Sequence, residues 1–262
     1  MTRPRHLFDA WPTLRRELAD PRRVALFTDF DGTLVRIRRR PSGVRLAPPV
    51  RALLARLACT GAVVGVISGR RLSDVRRRVG VRSIWYVGVH GFFLRDPANR
   101  RFALLNPTEQ ALLRRAQRRL SHLLRGIPGI GVEPKGATVA VHYRGASRQS
   151  VERARALLAR CREEIPSLHL MAGKKVWELF PERAVDKWAA IQFILKRERK
   201  KRPSAGHTVI YLGDDTTDER VFRKMRGISV AVGKRHKTAA RFFLRSPAEV
   251  RQFLMGVGEG WQ

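Results

Sequence analysis

The feature that most constrains the fold of this chain is a repeated alternation between continuous apolar runs and segments with helical spacing. The apolar runs, interpreted as strands, are 24–28, 62–67, 84–89, 208–212 and 228–232. The segments interpreted as helices are 8–19, 48–60, 71–79, 187–197, 218–225 and 247–255. Strands that are apolar on both faces are typical of parallel sheets, because crossover helices cover both faces. We therefore predict an α/β fold with a doubly wound, mostly parallel sheet.

The middle of the chain follows a different pattern. Helices are predicted over 107–124 and 150–164, and strands over 131–133, 138–143, 168–172 and 176–180. The last two strands flank Gly173-Lys174-Lys175, which is typical of a hairpin turn. Side chains alternate in character over 139–143, so one face of this sheet is expected to be more open. The pattern indicates a compact unit of two helices on an antiparallel sheet.

The charge balance raises the question of nucleic-acid binding. The 262 residues include 54 Lys and Arg against 22 Asp and Glu, a net charge of +32. A strongly basic domain is the first sign of a nucleic-acid-binding protein. Here, however, the basic residues are spread along the whole chain and no nucleic-acid motif is recognisable. We expect no specific nucleic acid as partner, and a basic nucleic-acid-binding protein stays open as the alternative of a different class.

Composition sets aside three further classes. With 44% hydrophobic residues the chain can bury a core, so it is not a disordered basic tail. No apolar run approaches the ~20 residues of a membrane span, and no apolar signal core follows the basic first residues. Cys59 and Cys161 have no metal or redox spacing, which favours free thiols in a reducing compartment. We expect a cytoplasmic monomer with no membrane partner.

The acidic residues are more informative than the basic ones. Five of the ten Asp residues fall in two short segments, Asp29 with Asp31, and Asp214 with Asp215 and Asp218. Each segment follows an apolar strand, and ligands of open α/β sheets bind at the carboxyl ends of strands. Asp-x-Asp-Gly alone is more often a turn. Together, the two segments indicate a site with paired carboxylates.

These carboxylates suit phosphoryl transfer. Asp29 can attack phosphorus as a nucleophile, while Asp31 can act as acid and base. Asp214 and Asp215 offer the hard oxygen ligands that Mg²⁺ prefers.

Two further residues fit such a site. Ser68 ends the second strand, where its hydroxyl can hold a phosphate oxygen or cap a helix. Lys187 precedes the strand that leads to Asp214 and can offset negative charge. Considered by itself, Lys187 would be a surface lysine.

Four elements of this chain, taken in order, resemble the motifs of the haloacid dehalogenase-like phosphatases. They are Asp29-Phe30-Asp31-Gly32-Thr33, Ser68, Lys187 and the segment 214–218. The resemblance implies that Asp29 forms an aspartyl-phosphate, and that Asp31 protonates the leaving oxygen and then activates water. The implied Mg²⁺ ligands are Asp29, Asp31 through its carbonyl, Asp214 and Asp215. Ser68 and Lys187 are implied to hold the phosphoryl group, with Asp218, Gly69 and Arg70 in support.

The middle unit lies where this superfamily carries a cap. The resemblance implies a catalytic core of residues 1–97 and 182–262 and an α+β cap of residues 98–181 that recognises the substrate. Several cap strings, among them Val132-Glu133-Pro134-Lys135-Gly136 and His142-Tyr143-Arg144, resemble the trehalose-6-phosphate phosphatase family. The implied sugar-binding residues are Glu133, Lys135, Arg144, Lys175 and Glu178. From the residues alone, Lys175 and Glu178 could equally form a cross-strand ion pair.

The resemblance therefore implies a Mg²⁺-dependent phosphatase that hydrolyses trehalose 6-phosphate to trehalose and phosphate. The alternative within the same class is a phosphatase for another sugar phosphate, such as sucrose 6-phosphate.

Overall fold

The computed structural model describes residues 4–37, 43–173, 175–181, 186–201, 206–233 and 237–261. The strands, in chain order, are β1 (Arg5–His6), β2 (Val24–Asp29), β3 (Val63–Ile67), β4 (Trp85–Gly88), β5 (Phe93–Arg95), β6 (Arg101–Ala103), β7 (Gly131–Pro134), β8 (Val139–His142), β9 (Leu168–Gly173), β10 (Val176–Pro181), β11 (Thr208–Gly213), β12 (Ile228–Val232) and β13 (Phe242–Leu244). The α-helices are α1 (Trp11–Glu17), α2 (Pro48–Cys59), α3 (Leu72–Val79), α4 (Pro107–Leu123), α5 (Arg148–Glu164), α6 (Lys187–Lys201), α7 (Asp218–Lys224) and α8 (Pro247–Glu259).

The chain divides into two compact units, a core of residues 1–103 and 185–262 and an inserted unit of residues 104–184. The core contains a nine-stranded sheet in the order β1-β13-β12-β11-β2-β3-β4-β5-β6. Its pairs are parallel from β1 through to β4, and the last two pairs are antiparallel. The predicted doubly wound, mostly parallel sheet is thereby confirmed. The predicted domain boundaries, at 97/98 and 181/182, stay a prediction.

Helices cover both faces of the core sheet. One apolar cluster joins residues of α1, α2, α3 and α8 to one face, with Leu26, Leu54 and Phe253 fully buried. On the opposite face, the ring of Phe222 in α7 packs against Tyr211 of β11, with ring centroids 5.8 Å apart. β2 lies in the middle of the sheet, between β11 and β3, and every residue of it is buried. The site at its carboxyl end is therefore built on a rigid element.

The inserted unit is a four-stranded antiparallel sheet in the order β7-β8-β10-β9, with α4 and α5 packed on one another. Trp177 and Leu179 of β10 are buried, and Arg155 of α5 lies over the Trp177 ring. This face of the sheet therefore carries the helices. The opposite face, which we name the carboxylate face, presents Glu133, Ala140, His142, Val176 and Glu178, because side chains alternate along each strand.

The short strands at and next to the two edges of the core sheet were not predicted from the sequence. β1, β5, β6 and β13 have only two or three residues each, and none has a long apolar run. They exist because neighbouring strands offer unpaired backbone groups, which local sequence does not reveal. Among the described residues, no helix is both long and apolar enough to cross a membrane. The cytoplasmic location and the monomeric state stay predictions.

Candidate active site

The site lies at the carboxyl edge of the central strands. Asp29 is the last residue of β2 and is paired in register with Ile67, directly before Ser68. β11 lies on the other side of β2 and ends at Gly213, directly before Asp214. β3 and β11 thus lie on opposite sides of β2, so the connections at the carboxyl end of β2 lead away in opposite directions. Such a position is a topological switch point, where open α/β sheets bind ligands. The two acidic segments are thus brought together by parallel pairing.

A buried ion-pair network forms the centre of the site. Lys187, the first residue of α6, is only 2% exposed. Its Nζ donates to Asp29 Oδ1 at 2.8 Å and to Asp218 Oδ1 at 2.7 Å. Burial disfavours the charged lysine, but the charges of Asp29 and Asp218 raise the pKa of Lys187 well above its usual value. Lys187 is therefore a permanent cation between two carboxylates, not a surface lysine.

Asp218 organises the second acidic segment. Its Oδ2 accepts hydrogen bonds from the backbone N–H groups of Asp214 and Asp215, both at 2.9 Å. Its Oδ1 also accepts a hydrogen bond from the Tyr211 hydroxyl at 2.5 Å. Burial raises the pKa of Tyr211 well above its usual value, so this hydroxyl keeps its proton. A Cβ on Gly213 would come within 2.3 Å of the Asp218 carboxyl carbon. Glycine is therefore required where this carboxylate closes over the loop.

Asp214 and Asp215 carry different protonation preferences. Burial, together with the charges of Asp218 and Asp215, raises the pKa of Asp214 to about 7. Partial burial acts on Asp215 in the same direction, but the charge of Lys187 and hydrogen bonds from Thr217 lower its pKa to about 2. Asp215 Oδ1 accepts from the Thr217 N–H and hydroxyl and from the Asp218 N–H, which fixes the start of α7.

The loop after β2 curls tightly against Asp214. Gly32 has a positive φ of 88°, and its N–H donates to the Val35 carbonyl at 2.7 Å. A Cβ on Gly32 would come within 1.9 Å of Asp214 Oδ2. The Thr33 hydroxyl donates to Asp214 Oδ1 at 3.2 Å. Gly32 and Thr33 therefore bring the first acidic segment against the second.

The site residues fit a divalent cation. Asp29, Asp214 and Asp218 each offer an oxygen within 4.8 Å of the others. Burial raises the pKa of Asp29 well above its usual value, and the charges of Asp218 and Asp214 add to this against that of Lys187. Carboxylates that repel one another in a buried site are the donor set that a hard cation stabilises. Because Asp218 already accepts four hydrogen bonds, Asp29 and Asp214 are the better placed ligands of the three.

Asp31 points to a different partner. The Arg70 guanidinium donates to Asp31 twice, from Nε to Oδ2 at 2.6 Å and from Nη2 to Oδ1 at 2.7 Å. This hydrogen bonding raises the pKa of Arg70. The Arg70 guanidinium also lies 5.7 Å from the ring centroid of Phe30. Two carboxylates only two residues apart thus have separate environments, one with a lysine and one with an arginine.

Ser68 and Gly69 lie beside this pair. Ser68 is 2% exposed, and its Oγ accepts the Arg70 N–H at 3.1 Å. A Cβ on Gly69 would come within 2.5 Å of the His90 ring. Val89 and His90 both have positive φ, 50° and 55°, which is unusual for residues other than glycine and strained for a β-branched one. The strained turn after β4 therefore places the His90 ring against the Ser68 loop.

On the inserted unit, Glu178 is the most enclosed of the predicted sugar-binding residues. Its Oε1 accepts from Lys135 Nζ at 3.1 Å and from the Thr138 hydroxyl at 2.7 Å. The Glu178 side chain is 7% exposed and that of Lys135 is 14% exposed. The structure thus pairs Glu178 with Lys135, on the loop that follows β7. From the sequence, an ion pair of Glu178 with Lys175 was considered instead.

The other predicted sugar-binding residues are more exposed. Glu133 Oε2 lies 2.8 Å from His142 Nε2 across β7 and β8. Lys175 has a positive φ of 64°, and its Nζ lies 5.9 Å from the Tyr143 ring centroid. Arg144 is exposed in the turn that follows β8. The second residue of the predicted hairpin turn, Lys174, lies outside the described residues.

The structure adds residues that the sequence analysis did not single out. Thr33 was visible as the last residue of the Asp-x-Asp-Gly-Thr string, and its contact with Asp214 required the fold. Tyr211 was visible only as an apolar strand residue, and its bond to Asp218 gave no sequence signal. Asp74, which binds Arg70 at 3.1 Å, looked like an ordinary helix residue.

Comparison with solved structures identifies the fold of this protein. A haloacid dehalogenase-like hydrolase from Bacteroides thetaiotaomicron matches with a TM-score of 0.63 and 14% identity, over 88% of this chain and 98% of that chain. The C-terminal domain of C. albicans trehalose-6-phosphate phosphatase matches with a TM-score of 0.71 and 22% identity, over 94% of this chain and 96% of that chain. At these identities the likeness establishes the haloacid dehalogenase-like fold.

Sequence comparison narrows the class to one family. The family model described as trehalose-phosphatase matches residues 27–248. The chain belongs to the trehalose-phosphatase family, which confirms the resemblance inferred from the motifs. The trehalose-phosphate phosphatase of Mycobacterium avium is 41% identical over 247 residues, which are 88% of this chain and 61% of that protein. This chain therefore spans about three fifths of the length of the curated relatives that it matches.

Proposed function

We propose that this chain is a Mg²⁺-dependent phosphatase that hydrolyses trehalose 6-phosphate. The observation that carries the proposal is the group formed by the buried Asp29, Lys187 and Asp218 with the partly buried Asp214 at the carboxyl edge of β2 and β11. Membership of the trehalose-phosphatase family supports the choice of substrate.

The reaction would proceed in two displacements. Asp29 Oδ attacks phosphorus, the bond between phosphorus and the sugar oxygen breaks, and Asp31 gives its proton to that oxygen. Water then attacks the aspartyl-phosphate, its proton passes to Asp31, and the bond between phosphorus and Asp29 breaks. The proton lost in the first step is thus regained in the second.

The remaining core residues hold charge and position. Lys187 and Ser68 would hold the phosphoryl oxygens, since an ammonium and a hydroxyl both donate to them. Asp29, Asp214 and the Asp31 carbonyl would hold Mg²⁺, with Asp215 beside them in the predicted set. When bound, the cation would neutralise negative charge on the phosphoryl group. Asp218 and Gly69 would keep the two loops in place.

Recognition of the sugar is assigned to the inserted unit. Glu133, Lys135, Arg144, Lys175 and Glu178 supply the carboxylates and cations that make strong hydrogen bonds to sugar hydroxyls. Glu178 is supported by two donors already in place, so it is the best pre-organised of the five.

A panel of sugar phosphates tests the proposal. We expect phosphate release in Mg²⁺ with the highest kcat/KM for trehalose 6-phosphate, and none in excess chelator. Equal or faster turnover of sucrose 6-phosphate would overturn the substrate assignment. Asp29→Asn should lose activity by at least ~10³-fold, because an amide is a poor nucleophile. Retained activity in that variant would overturn the mechanism.

A further inference from the structure

The ion pairs of the core extend past the reacting groups to Asp74. Asp31 accepts hydrogen bonds from Nε and Nη2 of Arg70. The third nitrogen of the guanidinium, Nη1, donates to Asp74 Oδ2 at 3.1 Å. The Arg70 side chain is 14% exposed and lies against the Phe30 ring. Arg70 is thus held by a carboxylate on each side.

Asp74 is itself anchored to the body of the core. Its Oδ2 also accepts from Arg78 Nε at 2.8 Å, and Arg78 Nη1 donates to the carbonyl of Val44 at 2.6 Å. The Arg78 side chain is 8% exposed. Asp74 therefore connects Arg70 to the buried Arg78. Arg78 is in turn bound to the backbone of Val44, which lies 34 residues before it in the sequence.

We propose that Asp74 is a positioning residue for the reaction: through Arg70, it holds the Asp31 carboxylate where its proton is exchanged with the leaving oxygen and with water. The inference rests on the proposed function, in which Asp31 is the acid and base. Without Asp74, the Arg70 guanidinium keeps its bonds to Asp31 but loses the hydrogen bond that connects it to Arg78 and, through Arg78, to the Val44 carbonyl.

The size of the effect follows from what positioning contributes. General acid–base catalysis accelerates reactions by about 10²–10⁴-fold and requires a heavy-atom distance of about 2.6–3.2 Å. A residue that only supports the acid controls a part of this factor. We therefore expect Asp74→Ala to lower kcat/KM for a sugar phosphate by about tenfold, with a smaller loss for Asp74→Asn, which keeps a neutral acceptor for Arg70.

Asp74 also has a purely structural role. It lies in the first turn of α3, where a carboxylate favours the helix, and it pairs with exposed Arg77. Loss of that role would lower activity on every substrate alike. The test therefore needs a substrate that does not require a proton on its leaving group.

The experiment compares trehalose 6-phosphate with 4-nitrophenyl phosphate, using kcat/KM because it reports only steps through transfer to Asp29. Nitrophenolate leaves without protonation, so we expect Asp74→Ala to change this kcat/KM by less than about twofold. A tenfold loss on both substrates would show a structural role only and overturn the proposal.

A double-mutant cycle tests whether Asp74 acts through Arg70. In an Arg70→Met background, adding Asp74→Ala should change the sugar-phosphate kcat/KM by less than about twofold, because the connection is already broken. Independent, additive losses would contradict the proposed route. The matched control is Arg77→Met, which removes the exposed partner on the other Asp74 oxygen and should leave kcat/KM unchanged.

The two proposals fail in different ways. A wild-type chain that releases phosphate from 4-nitrophenyl phosphate but from no sugar phosphate contradicts the proposed substrate class. If the wild-type chain is active on trehalose 6-phosphate and Asp74→Ala has the same kcat/KM for it, only the role of Asp74 is contradicted.

Discussion

The core site and the carboxylate face of the inserted unit both contain lysine–carboxylate pairs, but they are built differently. Lys187 is 2% exposed and bridges two carboxylates, each of which is buried. On the carboxylate face, the Lys135 side chain is 14% exposed and contacts Glu178, while Glu133 is partly exposed and His142 is exposed. Burial strengthens electrostatic interactions and raises the cost of breaking them.

In the proposed function, this difference in burial separates two tasks. Phosphoryl transfer needs charges that are fixed before the substrate arrives, because reorganisation would add to the barrier. Recognition of hydroxyl groups needs donors and acceptors that a ligand can reach, and the partly exposed Lys135 and Glu133 meet that need better than the fully enclosed Lys187 does. Variants in the core should therefore change turnover, whereas variants on the carboxylate face should change KM.

Replacing the two lysines gives the largest contrast. Lys187→Met should lower kcat by at least ~10³-fold and destabilise the fold by roughly 3 kcal/mol near neutral pH, because Asp29 and Asp218 lose their cation. Lys135→Met, the matched variant of the inserted unit, should cost ~1 kcal/mol or less and raise KM. Unfolding midpoints in denaturant and steady-state kinetics measure both. Similar losses of stability in the two variants would remove the distinction.

Glu178→Gln should give the next largest effect. The amide keeps the shape but loses the charge that Lys135 and sugar hydroxyls bind, so we expect KM for trehalose 6-phosphate to rise roughly 30-fold, about 2 kcal/mol. The rate with 4-nitrophenyl phosphate should not change. Glu152→Gln, in an exposed pair with Arg148 on α5, is the control and should leave KM as it is. A fall in kcat on both substrates would place Glu178 in the chemistry instead.

The raised pKa of Asp214 predicts how a cation stabilises the chain. Its pKa is about 7 in the fold against an ordinary value of 3.8, so the fold binds a proton more tightly than the unfolded chain does. That stabilisation is complete below the ordinary pKa and is lost as pH rises through about 7. A bound cation would neutralise the Asp214 carboxylate in place of that proton.

Mg²⁺ should therefore raise the unfolding temperature more at about pH 8 than at about pH 6. We expect a difference of several degrees, given that ~1 kcal/mol corresponds to about 2–4 °C in a chain of this size. Scanning calorimetry measures it, and Asp214→Asn should abolish the difference. An equal Mg²⁺ effect at both pH values in the unsubstituted chain would count against Asp214 as a ligand.

His142→Ala should give the smallest effect. His142 Nε2 lies 2.8 Å from Glu133 Oε2, but the His142 side chain is exposed and that of Glu133 is partly exposed, so water can replace this contact. We expect KM to rise by about two- to threefold with kcat unchanged, since exposed pairs contribute about 0.2–1 kcal/mol. A loss as large as that of Glu178→Gln would show that exposure does not distinguish the two pairs.

Much of the fold was predictable because its strongest signals are local. The central strands β2, β3, β11 and β12 are apolar on both faces, and this pattern specifies a covered parallel sheet wherever it occurs. The short strand β13 was not predictable, because it is defined by its pairing with β1 and β12 rather than by its own three residues.

For the site, the sequence by itself determined which groups are present and where along the chain they stand. It specified the two acidic segments, Ser68 and Lys187, because each directly follows or precedes a recognisable element. Tertiary structure decided their partners. Whether a carboxylate binds Lys187 or Arg70, and whether Asp74 is connected to the site at all, depends on distances between segments that are far apart in the chain. Those distances, and the burial that shifts the pKa of Asp214 and Asp215 in opposite directions, exist only once the sheet has formed.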